Sequence, residues 1–110
     1  MEVNTLLNQK SKMIAKEHKH PNGRIVLAVC DKEILGKKIE EGQKQLDLTS
    51  DFYKGKELDD TLIRDMIRNA DSINLVGPNS VKMGVEEGVI EENEILQING
   101  IPYATTAVER

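Results

Sequence analysis

The sequence has only one cysteine, Cys30, and this scarcity limits both its redox chemistry and its metal chemistry. A lone cysteine forms no disulfide within the chain, and it cannot complete a zinc site of four cysteines or of two cysteines and two histidines. Aromatic residues make up 3% of the chain, without any tryptophan, and they are Phe52, Tyr53 and Tyr103. RNA-binding modules that stack bases carry exposed aromatics within a signature strand, and that signature is absent.

Long apolar runs and the common catalytic motifs are also absent. No apolar stretch approaches the roughly 20 residues of a membrane span, and the N-terminus lacks the layout of a secretory signal. We therefore expect a cytoplasmic protein that does not bind membranes. The dinucleotide fingerprint, the phosphate-binding P-loop, HExxH and GxSxG are all missing. His18 and His20 supply only two metal ligands, so we expect no metal and no cofactor, and we find no DNA-binding signature.

The composition is that of one soluble globular domain. The chain has 110 residues, of which 38% are hydrophobic and 31% are charged, and this length suits a single core. We interpret residues 1–11 as an N-terminal extension and residues 12–110 as one α+β domain.

The net charge of −4 is unevenly distributed along the chain. Residues 1–38 carry eight Lys/Arg and four Asp/Glu, whereas residues 39–110 carry seven Lys/Arg and fifteen Asp/Glu. An acidic chain has no general attraction to nucleic acid, but the basic first third favours a local patch.

Hydrophobic periodicity predicts short strands and two full helices. The apolar run over residues 24–30 predicts a central strand that pairs with residues 12–17. Asn22 and Gly23 between them are expected to supply the positive φ angles of a tight turn. A short helical turn is predicted from Asp31 to Leu35, with Asp31 as its cap and Gly36 at its end. Further strands are predicted over residues 45–49, 72–76, 94–98 and 101–108. Two helices are predicted, one over residues 59–70 and one from Pro78 to about Gly88. Because hairpins dominate, we predict a two-layer α+β fold: a mostly antiparallel or mixed sheet of about six strands with two helices on one face.

The strand, turn and helix of residues 70–89 form the most informative stretch. Gly77 and Ser80 stand where the turn leads into the helix, and helix N-termini favour negative charge. The spacing therefore predicts either an ordinary capped helix start or an anion site at residues 77–80. A thiolate nucleophile needs a nearby cation or a helix N-terminus, so Cys30 and Asp31 are the only catalytic candidates. The other interpretation of Cys30 is a buried small apolar residue.

The motifs AVCDKEILGKKIEEG (28–42), DFYKG (51–55), ADSINLVG (70–77) and the EEGVI–EENEILQINGIP run (86–102) allow a family comparison. The chain resembles the archaeal domain of unknown function 424 over about residues 12–108. The resemblance implies the family's small α+β fold and an archaeal, intracellular source, and it implies no activity. The hallmark positions that it carries over are Cys30, Asp31, Leu35, Gly36, Gly42, Phe52, Tyr53, Gly55, Ala70, Asp71, Asn74, Leu75, Gly77, Gly88, Gly100 and Pro102. Tyr103 stands where we expect the family's histidine.

Two functions from different classes remain open on the sequence alone. The first is a non-catalytic accessory module that binds RNA or a protein, linked to the translation machinery. Its candidate binding residues are Lys37, Phe52, Tyr53, Asn74, Gly77, Ser80 and Tyr103. The second is a small enzyme or sulfur-handling protein that uses Cys30, with an anion held at residues 77–80. A homodimer is a further possibility if the strand of residues 24–30 or the C-terminal strand forms an exposed edge.

Overall fold

The computed structural model describes residues 12–108 of the chain, so the predicted extension of residues 1–11 lies outside the described residues. The elements are, in chain order, β1 (Met13–Lys19), β2 (Ile25–Asp31), β3 (Lys38–Glu41), β4 (Lys44–Asp47), β5 (Lys56–Glu57), α1 (Asp60–Asn69), β6 (Ser72–Val76), α2 (Pro78–Glu86), β7 (Leu96–Ile98) and β8 (Ile101–Ala107). Within this part of the chain, neither helix has the length and apolar character needed to cross a membrane.

Six of these strands form one mixed sheet in the order β5-β1-β2-β6-β8-β7. The pair β2 and β6 is parallel, and the other neighbouring pairs of the sheet are antiparallel. The β2 sequence IVLAVCD lies in the middle because both of its faces are apolar, as a central strand requires. The predicted α+β class, with a mixed six-stranded sheet and two helices, is confirmed.

Both helices pack against one face of the sheet and bury the larger hydrophobic cluster. In α1, Ile63 and Ile67 are fully buried, whereas Leu62 of the same predicted apolar stripe is 44% exposed. Asp59 caps this helix as predicted, since its side chain accepts a hydrogen bond from the Leu62 N–H at 2.8 Å. In α2, the missing side chain of Gly84 lets the helix approach the sheet closely.

A network of ion pairs joins the C-terminal half of α1 to the end of α2. Arg64 contacts Glu86 at 2.7 Å and Glu87 at 3.0 Å, and Arg68 contacts the other oxygen of Glu87 at 2.6 Å. The hydrogen bonds from Arg68 and then Arg64 lower the pKa of Glu87. The hydrogen bonds from Glu86 and Glu87 in turn raise the pKa of Arg64. The two helices are thus held in one register by charge as well as by packing.

The lowered pKa of Glu87 predicts that acid weakens the contact between the helices. Because its pKa is lower in the folded chain than in the unfolded chain, Glu87 stabilises the fold above pH 4.5, the ordinary value, and this contribution is lost as pH falls through the folded value. We expect Glu87→Gln to cost about 1 kcal/mol near pH 7 and progressively less as pH falls below 4.5. Thermal melts of both proteins between pH 7 and pH 3 check this; a constant difference across the range contradicts it.

The opposite face of the sheet is covered at one end by a second, smaller cluster. Cys30 and Val76 from the sheet pack there with Ile39 and Leu48 from the β3–β4 hairpin and Ile98 from β7. β3 is not predicted from the sequence, because its residues KIEE include only one apolar side chain and show no alternation of their own. The hairpin is stabilised by this tertiary contact rather than by its local sequence.

Two turn predictions need correction, and one is confirmed. Gly23 has a positive φ of 88°, but Asn22 does not, so one residue alone carries the unusual conformation of the first turn. The Asp31 side chain makes no capping hydrogen bond to the 3-10 turn Lys32–Ile34, contrary to the expectation. At the last hairpin, Asn99 and Gly100 have φ of 47° and 81°, as predicted for a two-residue turn.

Candidate functional site

The carboxylate of Asp31, at the end of β2, is fully engaged by the start of α2. Its Oδ2 atom accepts from the backbone N–H of Asn79 at 3.0 Å and from that residue's side-chain amide at 2.9 Å. Its Oδ1 atom accepts from the backbone N–H and the hydroxyl of Ser80, both at 2.8 Å. Asp31 is 4% exposed and Ser80 is fully buried. Asp31 therefore acts as a remote N-cap that joins the sheet to the helix.

Gly77 makes room for this cap. Its φ of 106° is a conformation that L side chains rarely adopt, and a Cβ atom at this position would lie 2.6 Å from the Cβ and Oδ1 atoms of Asp31. The backbone N–H of Gly77 donates to the carbonyl of Pro102 at 2.8 Å, which also fixes the turn to β8. The glycine is required here for both its conformation and its lack of a side chain.

Of the two interpretations of residues 77–80, these contacts favour the capped helix start over a site for an external anion. The start of α2 does hold a negative charge, but that charge is the chain's own Asp31, and it uses both donors of Ser80. Gly77 and Ser80 are buried around the carboxylate. The residues at the start of α2 are thus accounted for by a structural contact with Asp31, which precedes Asn79 and Ser80 by 48 and 49 positions in the chain.

Cys30 is in an environment that disfavours the thiolate. The side chain is fully buried, and its Sγ atom donates to the carbonyl of Asp31 at 3.4 Å. Burial, and then the negative charge of Asp31, raise the pKa of Cys30 to about 12. The thiol is therefore protonated at neutral pH, whereas a cysteine nucleophile or metal ligand acts as the thiolate.

We expect Cys30 to resist alkylation in the folded protein. At pH 8, the native chain should react with iodoacetamide at least about 100-fold more slowly than the chain unfolded in guanidinium chloride, since both exposure and thiolate fraction are lost on folding. Mass spectrometry of the alkylated protein over time gives both rates. Equal rates would contradict the burial of the thiol and would restore Cys30 as a catalytic candidate.

The other end of the same sheet face is open, and we call this surface the open face. The register aligns Lys16, Ala28, Asn74 and Thr105 in one row across four strands. The next row consists of His18, Val26, Ser72 and Ala107. Because side chains alternate along a strand, all eight lie on the face opposite the helices. All of them except Ala28 are exposed or half-exposed.

The centre of the open face presents hydrogen-bonding groups on a flat surface. The hydroxyl of Thr105 donates a hydrogen bond to the side-chain oxygen of Asn74 at 3.0 Å. This bond does not use the two N–H donors of the Asn74 amide. Ser72 adds a hydroxyl in the neighbouring row, and the side chains of Ala28 and Ala107 are too small to project far above the sheet. An amide and two hydroxyls on a shallow surface are suited to hydrogen bonding with an extended polar ligand.

One border of the open face is an aromatic and cationic ridge. The rings of His18 and Phe52 stack with centroids 4.5 Å apart and planes 8° apart. His18 Nε2 is 3.0 Å from the Phe52 carbonyl oxygen, and Lys16 donates to the Asp51 carbonyl oxygen at 2.8 Å. These contacts hold the 3-10 turn Asp51–Tyr53 against β1. At the end of the face, Arg24 leaves the turn that leads into β2 with its side chain exposed.

The structure gathers some of the predicted binding residues and separates others. Phe52, Tyr53, Asn74 and Tyr103 lie on one side of the sheet, with both tyrosines half-buried against the Cys30 cluster. Burial raises the pKa of Tyr53, with a smaller effect from Cys30. Lys37 is exposed, but it lies just before β3, beyond the covered end of the face. Gly77 and Ser80 belong to the buried cap described above.

Sequence reasoning missed four residues of the open face, which are Lys16, His18, Ser72 and Thr105. The signal that finds them is the alternation along β1, β6 and β8 combined with the register, and the register was not available from the sequence. His18, considered there as a weak metal ligand, instead stacks on Phe52. Among residues 12–108, no group of three or more His, Cys, Asp or Glu side chains is placed to hold a metal ion.

The geometry thus defines a small α+β domain with a buried capping carboxylate and an open, polar sheet face. Its sequence matches the family described as protein of unknown function, DUF424, over residues 18–108, and the chain belongs to this family. The resemblance that the motifs indicated is confirmed. No curated protein matches the sequence.

The fold is similar to that of a solved archaeal structure, an uncharacterized conserved protein from Methanopyrus kandleri. The two sequences are 24% identical, the TM-score is 0.73, and the match covers 89% of this chain and 93% of that chain. At this level of identity the similarity concerns the fold alone.

Proposed function

We propose that the chain is a non-catalytic RNA-binding module whose open face holds a short single-stranded segment. The observation that carries this proposal is the juxtaposition on one sheet face of Asn74, Ser72 and Thr105 with the His18–Phe52 stack. Single-stranded RNA is recognised through hydrogen bonds to base edges and 2′-hydroxyls and through stacking on flat side chains. The open face offers both kinds of group.

The charge distribution supports an RNA ligand on this face rather than on the helices. Residues 12–38 carry seven Lys/Arg and three Asp/Glu, and two of these cations, Lys16 and Arg24, stand at the open face. Residues 59–87, which include both helices, carry three Lys/Arg and six Asp/Glu, so the helical layer is net acidic. A phosphate backbone is therefore attracted to the open face and repelled by the opposite layer. The burial of Cys30 and its raised pKa support this choice over the cysteine-dependent alternative.

Binding of a fluorescent single-stranded RNA, followed by anisotropy, tests the proposal. With Lys16 and Arg24 as the two cations at the face, the slope of log affinity against log salt is expected near −1.4, at about −0.7 per phosphate contact. Arg24→Glu should weaken binding about fivefold to tenfold and flatten that slope. Asn74→Ala should weaken it about fivefold through the loss of hydrogen bonds.

Lys82→Glu is the matched control, because it makes the same change of charge on the exposed surface of α2. It should leave RNA affinity within about twofold, since it lies across the sheet from the open face. Equal losses in the Arg24 and Lys82 variants would mean that RNA responds only to net charge, and the open face would then not be the site. A DNA strand of the same sequence should bind more weakly if the 2′-hydroxyls are read.

The cellular setting is tested by purifying the tagged protein from native cells with and without RNase. Recovery of ribosomal or tRNA-modifying proteins that depends on RNA would support a place in the translation machinery. Recovery that survives RNase would point to a protein partner instead of RNA. A homodimer would appear in the same preparation as a doubled mass in light scattering. It would use the free edge of β8 beyond β7, since β2 lies in the middle of the sheet.

A further inference from the structure

Two Asn-Gly pairs lie on the surface of the protein, each in a turn between neighbouring strands. Asn22 and Gly23 are in the turn between β1 and β2, and Asn99 and Gly100 are in the turn between β7 and β8. All four residues are exposed. Asparagine is prone to lose its side-chain amide when glycine follows it, because the glycine backbone nitrogen is unhindered. The two pairs therefore share this intrinsic chemistry and differ in the structure around them.

The first pair is protected by two hydrogen bonds. The backbone N–H of Gly23 donates to the carbonyl oxygen of His20 at 2.9 Å. The side-chain oxygen of Asn22 accepts from the backbone N–H of Arg24 at 3.0 Å. Loss of the amide requires the Gly23 nitrogen to give up its proton and to reach the Asn22 side chain. Both hydrogen bonds must break before that can happen.

The second pair has no counterpart of either bond. Within residues 12–108, no hydrogen bond uses the backbone N–H of Gly100 or the side-chain amide of Asn99. Asn99 has a φ of 47°, which residues with a Cβ atom rarely adopt, and Gly100 has a φ of 81°. The attacking nitrogen and the side-chain carbon that it would attack are therefore both without a protecting contact.

We propose that Asn99 is a site of spontaneous modification, at which the backbone nitrogen of Gly100 displaces the side-chain amide. A bond forms between the Gly100 nitrogen and the Asn99 Cγ atom, and the bond from Cγ to Nδ2 breaks. The amide nitrogen takes up the proton of the Gly100 N–H and leaves as ammonia. Water then opens the cyclic imide, which gives aspartate or isoaspartate at position 99. Nothing is oxidised or reduced, and the modification does not depend on the proposed RNA binding.

The modified turn should weaken the cover of the smaller hydrophobic cluster. The backbone N–H of Asn99 donates to the carboxylate of Glu41 at the end of β3, and the preceding residue, Ile98, is buried in that cluster with Cys30. A carboxylate at position 99 places a like charge beside Glu41. Isoaspartate also lengthens the backbone by a methylene group, which disrupts the two-residue turn. We therefore expect the β3–β4 hairpin to open more often over Cys30.

Incubation of the native protein in mildly alkaline buffer, followed by tryptic digestion and mass spectrometry, tests the site. Each conversion raises the mass of its peptide by about 1 Da. In the native protein, Asn99 should convert at least about tenfold faster than Asn22, because the two hydrogen bonds of the first turn slow ring closure. In the chain unfolded in guanidinium chloride, the two rates should agree within about threefold. Native rates that are equal, or faster for Asn22, would overturn the proposal.

Three variants test the consequence for the cluster, with the rate of Cys30 alkylation as the measurement. Asn99→Asp imitates one product and should raise this rate at least about threefold. Asn22→Asp makes the same change of charge in the first turn and should leave the rate within about 1.5-fold of wild type. Asn99→Gly keeps a residue that favours positive φ and removes the reacting amide, so incubation should not raise its rate.

Two results would contradict this consequence. Equal rates in Asn99→Asp and Asn22→Asp would show that the turn does not control access to Cys30. A rise on incubation that is as large in Asn99→Gly as in the wild type would show that the damage arises elsewhere in the chain.

Discussion

Replacing Asp31 with alanine is expected to lower the free energy of unfolding by about 3–5 kcal/mol. The substitution removes four hydrogen bonds at once and leaves the Ser80 hydroxyl and N–H buried without an acceptor. The free energy of unfolding of a small domain is only about 5–15 kcal/mol, so this loss is a large fraction of the total stability. Urea denaturation at pH 7, followed by circular dichroism, measures the difference directly.

Asp31→Asn separates the geometry of this cap from its charge. An amide keeps one acceptor oxygen for Ser80 or Asn79 and loses the negative charge at the start of α2. The free energy of unfolding of this variant should therefore lie between those of the wild type and the alanine variant. Asp51→Ala is the matched control, because it removes an exposed carboxylate from the surface and should cost less than about 0.5 kcal/mol. If Asp31→Ala were as mild as this control, the carboxylate would not be the link between sheet and helix.

Gly77→Ala is expected to cost about 3 kcal/mol or more, from two causes that add. The φ of 106° is strained for any residue with a Cβ atom, and the new methyl group overlaps the Asp31 side chain. The denaturation midpoint in urea should fall well below that of wild type, with an unchanged slope.

Gly88→Ala isolates the first of these causes. Gly88 also has a positive φ, 75°, but nothing lies within 4 Å of its Cβ position, so alanine there should cost only about 1 kcal/mol. The double variant of Gly77→Ala and Asp31→Ala should be less destabilised than the sum of the two single variants, because alanine at position 31 removes the Cγ and Oδ1 atoms from the overlap and leaves only the Cβ atom. Strict additivity would contradict a steric contact between the two residues.

Much of the fold follows from local patterns in the sequence. The two-sided apolar run of β2 places it at the centre of the sheet, and the spacing around Ile63 and Ile67 defines α1 and its buried face. Asn99 and Gly100 specify the last hairpin through their own backbone preferences. Each of these features depends on residues that are close together along the chain, so a single sequence contains the information.

The features that escape prediction depend on distant partners. The residues next to Asp31 in the sequence predict that it caps the turn that follows it. Its carboxylate oxygens instead accept hydrogen bonds from Asn79 and Ser80, 48 and 49 positions away. The open face requires the parallel register of β2 with β6, which no local motif encodes. The same limit explains why a structural and a chemical interpretation of Cys30 and of Gly77 both stayed open on the sequence, since their burial follows only from the packed structure.

Mapping of a single-stranded RNA on the protein by backbone NMR tests the central claim most directly. On titration, the amide signals of Lys16, His18, Ser72, Asn74 and Thr105 should shift together and saturate, while those of α1 and the exposed surface of α2 stay in place. This result would locate the ligand on the open face. Shifts confined to the helices, or no saturable shifts at all, would contradict an RNA-binding function for this surface.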